Sequence, residues 1–155
     1  MTPAINEAKK SKIEYTVHEY HHDPLSDSYG LEAASKLGVE SERVYKTLVI
    51  VHGDKELAVG IVPVSSMLNM KLIAKVLGSK KAAMAETSDV ERSTGYILGG
   101  VSPLGQKKKL ITIVDSSATK YKTIFVSAGR RGLDIELKAN DLLLLTKGRF
   151  ETICQ

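Results

Sequence analysis

Tyr45-Lys46-Thr47-Leu48-Val49-Ile50-Val51, then His52-Gly53-Asp54-Lys55, then Glu56-Leu57-Ala58-Val59-Gly60-Ile61-Val62-Pro63-Val64 reads as two apolar strands joined by a tight polar turn. Both runs are rich in Val, Ile and Leu and are bounded by Gly and Asp, the pattern of a β-hairpin. Strands this close in sequence must pair antiparallel. A doubly wound sheet would instead place a crossover helix between them.

Upstream of the hairpin, Thr2 followed by Pro3 marks a helix start, with the hydroxyl as N-cap and Pro at the first helical position. That helix is expected to run to about Lys10. Residues 15–20 alternate and are β-prone, residues 21–30 form a polar loop around Pro24, and residues 31–38 form a short helix stopped by Gly38. Downstream, Met70, Ile73, Ala74 and Leu77 have helical spacing over 69–77, and residues 82–85 make a brief strand. Ser88-Asp89-Val90-Glu91 has the form of a capping box opening another helix. Strands follow at 110–114, 123–127 and 133–137. Asn140 is expected to cap a helix over 141–146, and residues 150–154 to form a last strand. The elements are interspersed without a regular βα beat. The expected fold is therefore α/β of the α+β type, with a mixed, largely antiparallel sheet flanked by helices, and residues 1–155 forming one domain.

The 43% apolar and 26% charged residues are ordinary for a globular chain and exclude disorder. The single cysteine, Cys154, rules out an intrachain disulfide and points to a reducing compartment. The N-terminus lacks the basic and apolar regions of a signal peptide, and no apolar run approaches a membrane span, so a cytoplasmic location without membrane association is expected. Net charge is +4, from 22 basic against 18 acidic residues. That is mild, yet Lys80-Lys81, Lys107-Lys108-Lys109 and Arg130-Arg131 are clustered and could meet phosphates if they share a face.

The most informative stretch for chemistry is Ser93-Thr94-Gly95-Tyr96-Ile97-Leu98-Gly99-Gly100-Val101-Ser102-Pro103-Leu104-Gly105. Glycines here permit close backbone approach and positive φ, so the loop can present N–H donors to a phosphate or an oxyanion, or serve only as a tight connection. It has neither the Walker A pattern nor G-x-G-x-x-G spacing. Lys46 either points to solvent or neutralises an anion at the mouth of the sheet. His18, His21, His22 and Asp23 are spaced for a helix but fall in a strand running into a loop, so no metal site is expected. Ser117-Ala118-Thr119-Lys120 lacks the companion motifs of serine acylases, and Cys154 has no evident base. Without a nucleophile, triad or metal, either the chain is no enzyme or its substrate brings the reactive group.

Several stretches together are similar to one family. They are Met1-Thr2-Pro3-Ala4, Tyr20 with His22-Asp23-Pro24, Tyr45-Lys46-Thr47-Leu48, the glycine loop through Gln106-Lys107-Lys108, and Val126-Ser127-Ala128-Gly129 leading to Arg131-Gly132-Leu133-Asp134-Ile135-Glu136-Leu137. The chain resembles the YbaK proteins, the Cys-tRNA(Pro) deacylases of the YbaK/EbsC and prolyl-tRNA synthetase editing-domain superfamily, over essentially its whole length. It departs at Tyr29, where relatives often carry Phe, and in a shortened turn at 51–55.

The resemblance implies a barrel-like mixed sheet, no cofactor, and removal of cysteine from mischarged Cys-tRNA(Pro), with Cys-tRNA(Cys) as a further substrate. Its functional positions fall on Tyr20, Lys46, Gly99 and Asp134. In the implied reaction the substrate thiol attacks its own ester. The Gly99 and Gly100 N–H groups are then expected to hold the oxyanion, and Lys46 the terminal phosphate or ribose. Asp134 would bind the α-amino group, while Tyr20, Tyr29, Thr47, Val101 and Ser102 shape the pocket. Lys107, Lys108, Arg130 and Arg131 would contact tRNA, and prolyl-tRNA synthetase is a second candidate partner. Two rivals stand beside this reading: an Ala-tRNA(Pro) hydrolase of the same superfamily, and a non-catalytic module binding tRNA or a synthetase.

Overall fold

A computed structural model describes residues 1–26 and 28–155. The chain runs α1 (Pro3–Ser11), β1 (Tyr15–Glu19), α2 (Tyr29–Leu37), a 3-10 turn at Ser41–Arg43, β2 (Tyr45–His52), β3 (Glu56–Pro63), α3 (Met70–Val76), β4 (Ala82–Met84) and α4 (Thr87–Thr94). It continues through β5 (Ile111–Asp115), a second 3-10 turn (Ser116–Lys120), β6 (Ile124–Arg130), β7 (Leu133–Leu137), α5 (Ala139–Thr146) and β8 (Arg149–Glu151).

The strands form two sheets, one ordered β1-β7-β6 and one ordered β4-β2-β3-β5-β8. The expected hairpin is present, with Tyr45 opposite Pro63 and His52 opposite Glu56. The first sheet is antiparallel throughout, whereas β5 joins β3 and β8 joins β5 in parallel. The mixed α/β class with flanking helices is as expected, but the strands divide into two sheets and do not close into a barrel.

The near-continuous apolar run of β3 has a direct cause: its sheet is covered on both faces. Val59 and Ile61 enter the larger core with Leu104, Ile124 and Ile135. Ala58 and Val62 enter a second core with Ile50, Ile73 and Ile113 on the opposite face. A third, smaller cluster of Ala33, Ala34, Val44 and Phe125 lies where the sheets meet. There Val44 and Phe125 form a parallel bridge, and the Val44 carbonyl accepts from the Val64 N–H at 2.8 Å. Polar groups brace the same seam. Arg43 donates to the Thr123 carbonyl at 3.1 Å and lies 5.1 Å from the Phe125 ring centre, and His18 pairs with Glu136 at 2.8 Å.

The expected Thr2 cap is formed, and Asn69 caps α3 in the same way. Thr2 accepts from the Ile5 N–H, and Asn69 from the Leu72 N–H. Three expectations are corrected. Helix α4 starts two residues before the Asp89 turn with Glu86 as N-cap, so Ser88 lies inside the helix and the capping box is not formed. Lys138, not Asn140, stands at the N-cap of α5. The last strand is Arg149–Glu151; beyond it Asp115 accepts from the Ile153 N–H at 3.0 Å, and Cys154 makes only an isolated bridge with Leu68.

Phe125 is almost fully buried at the seam. Truncating it leaves a cavity that the two sheets cannot both collapse into, and Phe125→Ala is expected to cost about 3–5 kcal/mol. Urea unfolding of both proteins measures this; a loss below about 1 kcal/mol would mean that the seam does not couple the sheets.

Candidate active site

The junction of the two sheets leaves a cleft of about 340 Å³, within the range of small-molecule sites. From the larger sheet, β2 contributes Lys46 and Thr47. From the smaller, β6 contributes Ser127 and Arg130 and β7 contributes Asp134; the turn between them contributes Arg131. Tyr20 stands just past β1, held by its N–H donating to the Gly132 carbonyl at 3.0 Å. The glycine loop closes one side with Leu98, Gly99 and Val101, and the start of α2 closes another with Ser28, Tyr29 and Gly30.

Asp134 is only 6% exposed and forms no ion pair among the described residues. Burial pushes its carboxyl up to about 7. Burial, followed by the nearby Asp134 charge, also raises the Tyr20 phenol. The buried Thr47 hydroxyl has no hydrogen-bond partner among the described residues, which leaves a second polar group free within the lining.

Close approach at Gly99 explains why the loop needs glycine. Its φ is +95°, and an added Cβ would stand 2.9 Å from both the Arg131 guanidinium and the Tyr29 ring. Those two side chains are themselves stacked, with the guanidinium carbon 3.4 Å from the ring centre. Arg131 Nη1 also donates toward His22 Nε2 at 3.4 Å, so the other ring nitrogen, Nδ1, carries the proton shared with Glu32 at 2.7 Å. Burial raises the Glu32 carboxyl, but hydrogen bonds from His22 and the Asp23 N–H outweigh it and hold the group below its usual range.

The cleft thus brings together Tyr20, Tyr29, Lys46, Thr47, Gly99, Val101, Arg130, Arg131 and Asp134. It does not include Gly100, Ser102, Lys107 or Lys108. The Gly100 N–H is committed to the Ile97 carbonyl at 2.9 Å and cannot serve an oxyanion, which corrects the expectation for that residue. Ser102 is fully buried, and its hydroxyl accepts from the Leu104 N–H at 3.2 Å, so it shapes the loop from behind. Lys107 and Lys108 are exposed, with backbone N–H groups tied to Thr94 and Ser93. Of the histidines once considered for a metal, His18 is spent on Glu136 and His22 on Glu32. Sequence reading missed Ser28, Gly30, Ser127 and Glu32. A Cβ at Gly30 would stand 2.2 Å from Val64, so glycine lets α2 approach the chain just past β3, a constraint that only the fold reveals.

Residues 24–145 match the aminoacyl-tRNA editing domain. The chain belongs to that family. It is 39% identical over 154 residues, 98% of this chain and 92% of the relative, to EbsC of Enterococcus faecalis, described as a candidate Cys-tRNA(Pro)/Cys-tRNA(Cys) deacylase. It is 27% identical to the uncharacterised YwhH of Bacillus subtilis, over 72% of this chain and 70% of that one. Among solved structures, a candidate trans-editing enzyme for prolyl-tRNA synthetase superposes with a TM-score of 0.87 at 22% identity, covering 99% of this chain and 95% of that chain. The hypothetical protein APE2540 does so with the same score at 21% identity, covering 99% of each. These two likenesses bear on the editing-domain fold. No helix among the described residues is long and apolar enough to cross a membrane.

Burial of Asp134 has a consequence for stability. The unfolded carboxyl titrates near 3.8 and the folded one near 7, so between those values the folded chain holds the extra proton. Stability therefore falls as pH rises through this interval, by an amount on the order of a few kcal/mol, and stays lowered above it. Asp134→Asn removes this contribution. Denaturation midpoints at pH 5 and pH 8 should converge in the variant, and parallel pH dependence in the two proteins would show that Asp134 is not held as described.

Proposed function

We propose that the protein is an aminoacyl-tRNA deacylase that clears cysteine from mischarged Cys-tRNA(Pro) by letting the substrate thiol attack its own ester. The observation that carries this reading is a buried carboxylate without a cation, Asp134, in a cleft that also holds Lys46 and the Gly99 backbone but no cysteine or histidine in its lining. Such a site can bind an aminoacyl end but offers no activated nucleophile of its own.

Each group then has a role. The α-ammonium of the aminoacyl moiety supplies the cation Asp134 lacks, and its charge holds the carboxyl ionised at neutral pH. Lys46 neutralises the terminal phosphate, a task for a compact point charge. The Gly99 N–H faces the developing oxyanion, and Tyr20 and Thr47 enclose the side chain. The cysteine sulfur loses its proton and bonds to the carbonyl carbon. The bond from that carbon to the ribose oxygen breaks, the oxygen leaves as a hydroxyl with a proton, and the released thiolactone is later opened by water. A thiol, ionising near 8.5, reaches its anion far more readily than a serine hydroxyl, and tethering it to the ester adds proximity. Exposed Lys107 and Lys108 lie where acceptor-stem phosphates would position the tRNA without specifying it. The reaction belongs in the cytoplasm beside prolyl-tRNA synthetase, the source of the mischarged product.

Single-turnover release from Cys-tRNA(Pro) and Ala-tRNA(Pro) tests the proposal. Cysteine should leave at least about 100-fold faster than alanine, and Lys46→Ala should slow that release by a factor on the order of 100. Equal release of both amino acids would point to water as the nucleophile, and release of neither would remove the enzyme reading.

A further inference from the structure

A second hollow of about 590 Å³ lies beside the cleft, on the far side of a ridge made by Leu98, Arg130 and Arg131, three residues that line both. Its own floor includes Ile97 and Tyr96, and its edges include Gly95 and Gly129. Resting on the deacylase reading above, we infer that this groove is a single-stranded nucleotide subsite, taking the nucleotides immediately 5′ of the aminoacylated terminal adenosine.

Three observations carry this. The first is composition. Ile97 is 77% exposed and Leu98 50% exposed, unusual for large aliphatic side chains on adjacent positions of a short loop. They are set against two guanidiniums, with no acidic residue in the lining. Exposed aliphatic surface next to Arg guanidiniums suits unstacked bases joined by phosphates, with the guanidinium planes as the stacking partners, whereas an acidic peptide would leave the aliphatic floor unused.

The second is rigidity. Leu98 is fixed by its N–H donating to Glu91 Oε2 at 3.1 Å, and the carbonyl of Ile97 by the Gly100 N–H. Tyr96 is anchored by its hydroxyl donating to the Leu104 carbonyl. Arg131 is held between the Tyr29 ring and His22. The ridge is therefore organised before any ligand arrives, which lowers the ordering cost of binding.

The third is continuity. The arginines connect the groove to the cleft at one end. At the other, an added Cβ on Gly95 would touch the Lys107 side chain at 3.6 Å, so the exposed lysine run begins at the rim. A strand leaving the cleft thus crosses two arginines, lies over Ile97, and exits toward lysines, the sequence of contacts a polyanion with stackable bases requires.

The test uses uncharged ligands, so it does not depend on deacylation. The full chain is titrated with AMP and with the trinucleotide CpCpA while backbone amides are followed by NMR. CpCpA should bind at least about 10-fold tighter than AMP and should shift the Gly95 and Gly129 amides, which AMP leaves in place. Ile97→Asp, a change at an exposed residue outside the cleft, should abolish the tenfold difference and leave AMP binding unchanged. Equal affinity for the two ligands, or a tenfold gain that survives Ile97→Asp, would overturn the inference. So would shifts of Gly95 and Gly129 that depend on protein concentration alone, which would mean that a second copy covers the groove. If CpCpA selectivity appears while Cys-tRNA(Pro) is not deacylated, the subsite stands and only the catalytic reading fails.

Discussion

The cleft depends on how two sheets are joined: they share the larger core, and beside the cleft they meet, among the described residues, at one bridge. Val44 bridges to Phe125 immediately before β2 takes up its pairing with β3, so the seam lies one residue from Tyr45 and two from Lys46. A single parallel bridge is a weak tie by itself. Around it, Ala33 and Ala34 of α2 close an apolar plug, while Arg43 ties the 3-10 turn to the start of the smaller sheet through Thr123 and Glu136. Because one sheet carries Lys46 and the other Asp134, the distance between cation and carboxylate depends on that plug together with the core the two sheets share.

Close contacts at glycine fix the remaining wall. The Gly105 position abuts Pro3, with an added Cβ only 2.5 Å from its carbonyl carbon, and the Gly105 N–H reaches Glu7 at 3.0 Å. The back of the loop is therefore clamped to α1, and its front, at Gly99, to the Tyr29–Arg131 stack. A loop pinned at both ends is held in place before any ligand arrives, which lowers the ordering cost of whatever binds in the cleft. Within the same loop the Gly100 N–H is taken up by the Ile97 carbonyl.

Much of this was legible in the chain. The hairpin, the α1 cap, the α3 helix and the strands at 110–137 follow from patterns that depend on neighbours in sequence: apolar runs, a hydroxyl before a helix, a glycine after one. Lys46, Asp134 and Tyr20 were reached through the family resemblance rather than through spacing; spacing alone could not choose between solvent and site for Lys46. What stayed hidden was non-local. Glu32 sits on a short helix as an ordinary charged residue, and only folding brings His22 and the Asp23 N–H to it. The caps of α4 and α5 were misplaced because Ser88 and Asn140 resemble N-caps locally, while the packed helix begins earlier than either. The division into two sheets was likewise out of reach, since it is decided by which strand edges β5 and β7 find.

A buried carboxylate without a cation is a cost that a protein keeps only where something else offsets it. Structural ion pairs elsewhere in this chain show what the offset looks like when the partner is internal: Glu136 has His18 and Thr123, and Glu32 has His22. Asp134 has neither, although it lies on the same strand as Glu136 and opposite His18 in register. Residues two apart on a strand share a face, so Asp134 and Glu136 point the same way; Glu136 lies toward Arg43 and Thr123, whereas Asp134 lies where that face lines the cleft. The difference is thus one of position along β7, and among the described residues no cation pairs with Asp134. Under the proposed function an amine bound in the cleft would supply that cation, so recognising it and offsetting the burial of Asp134 would be the same event.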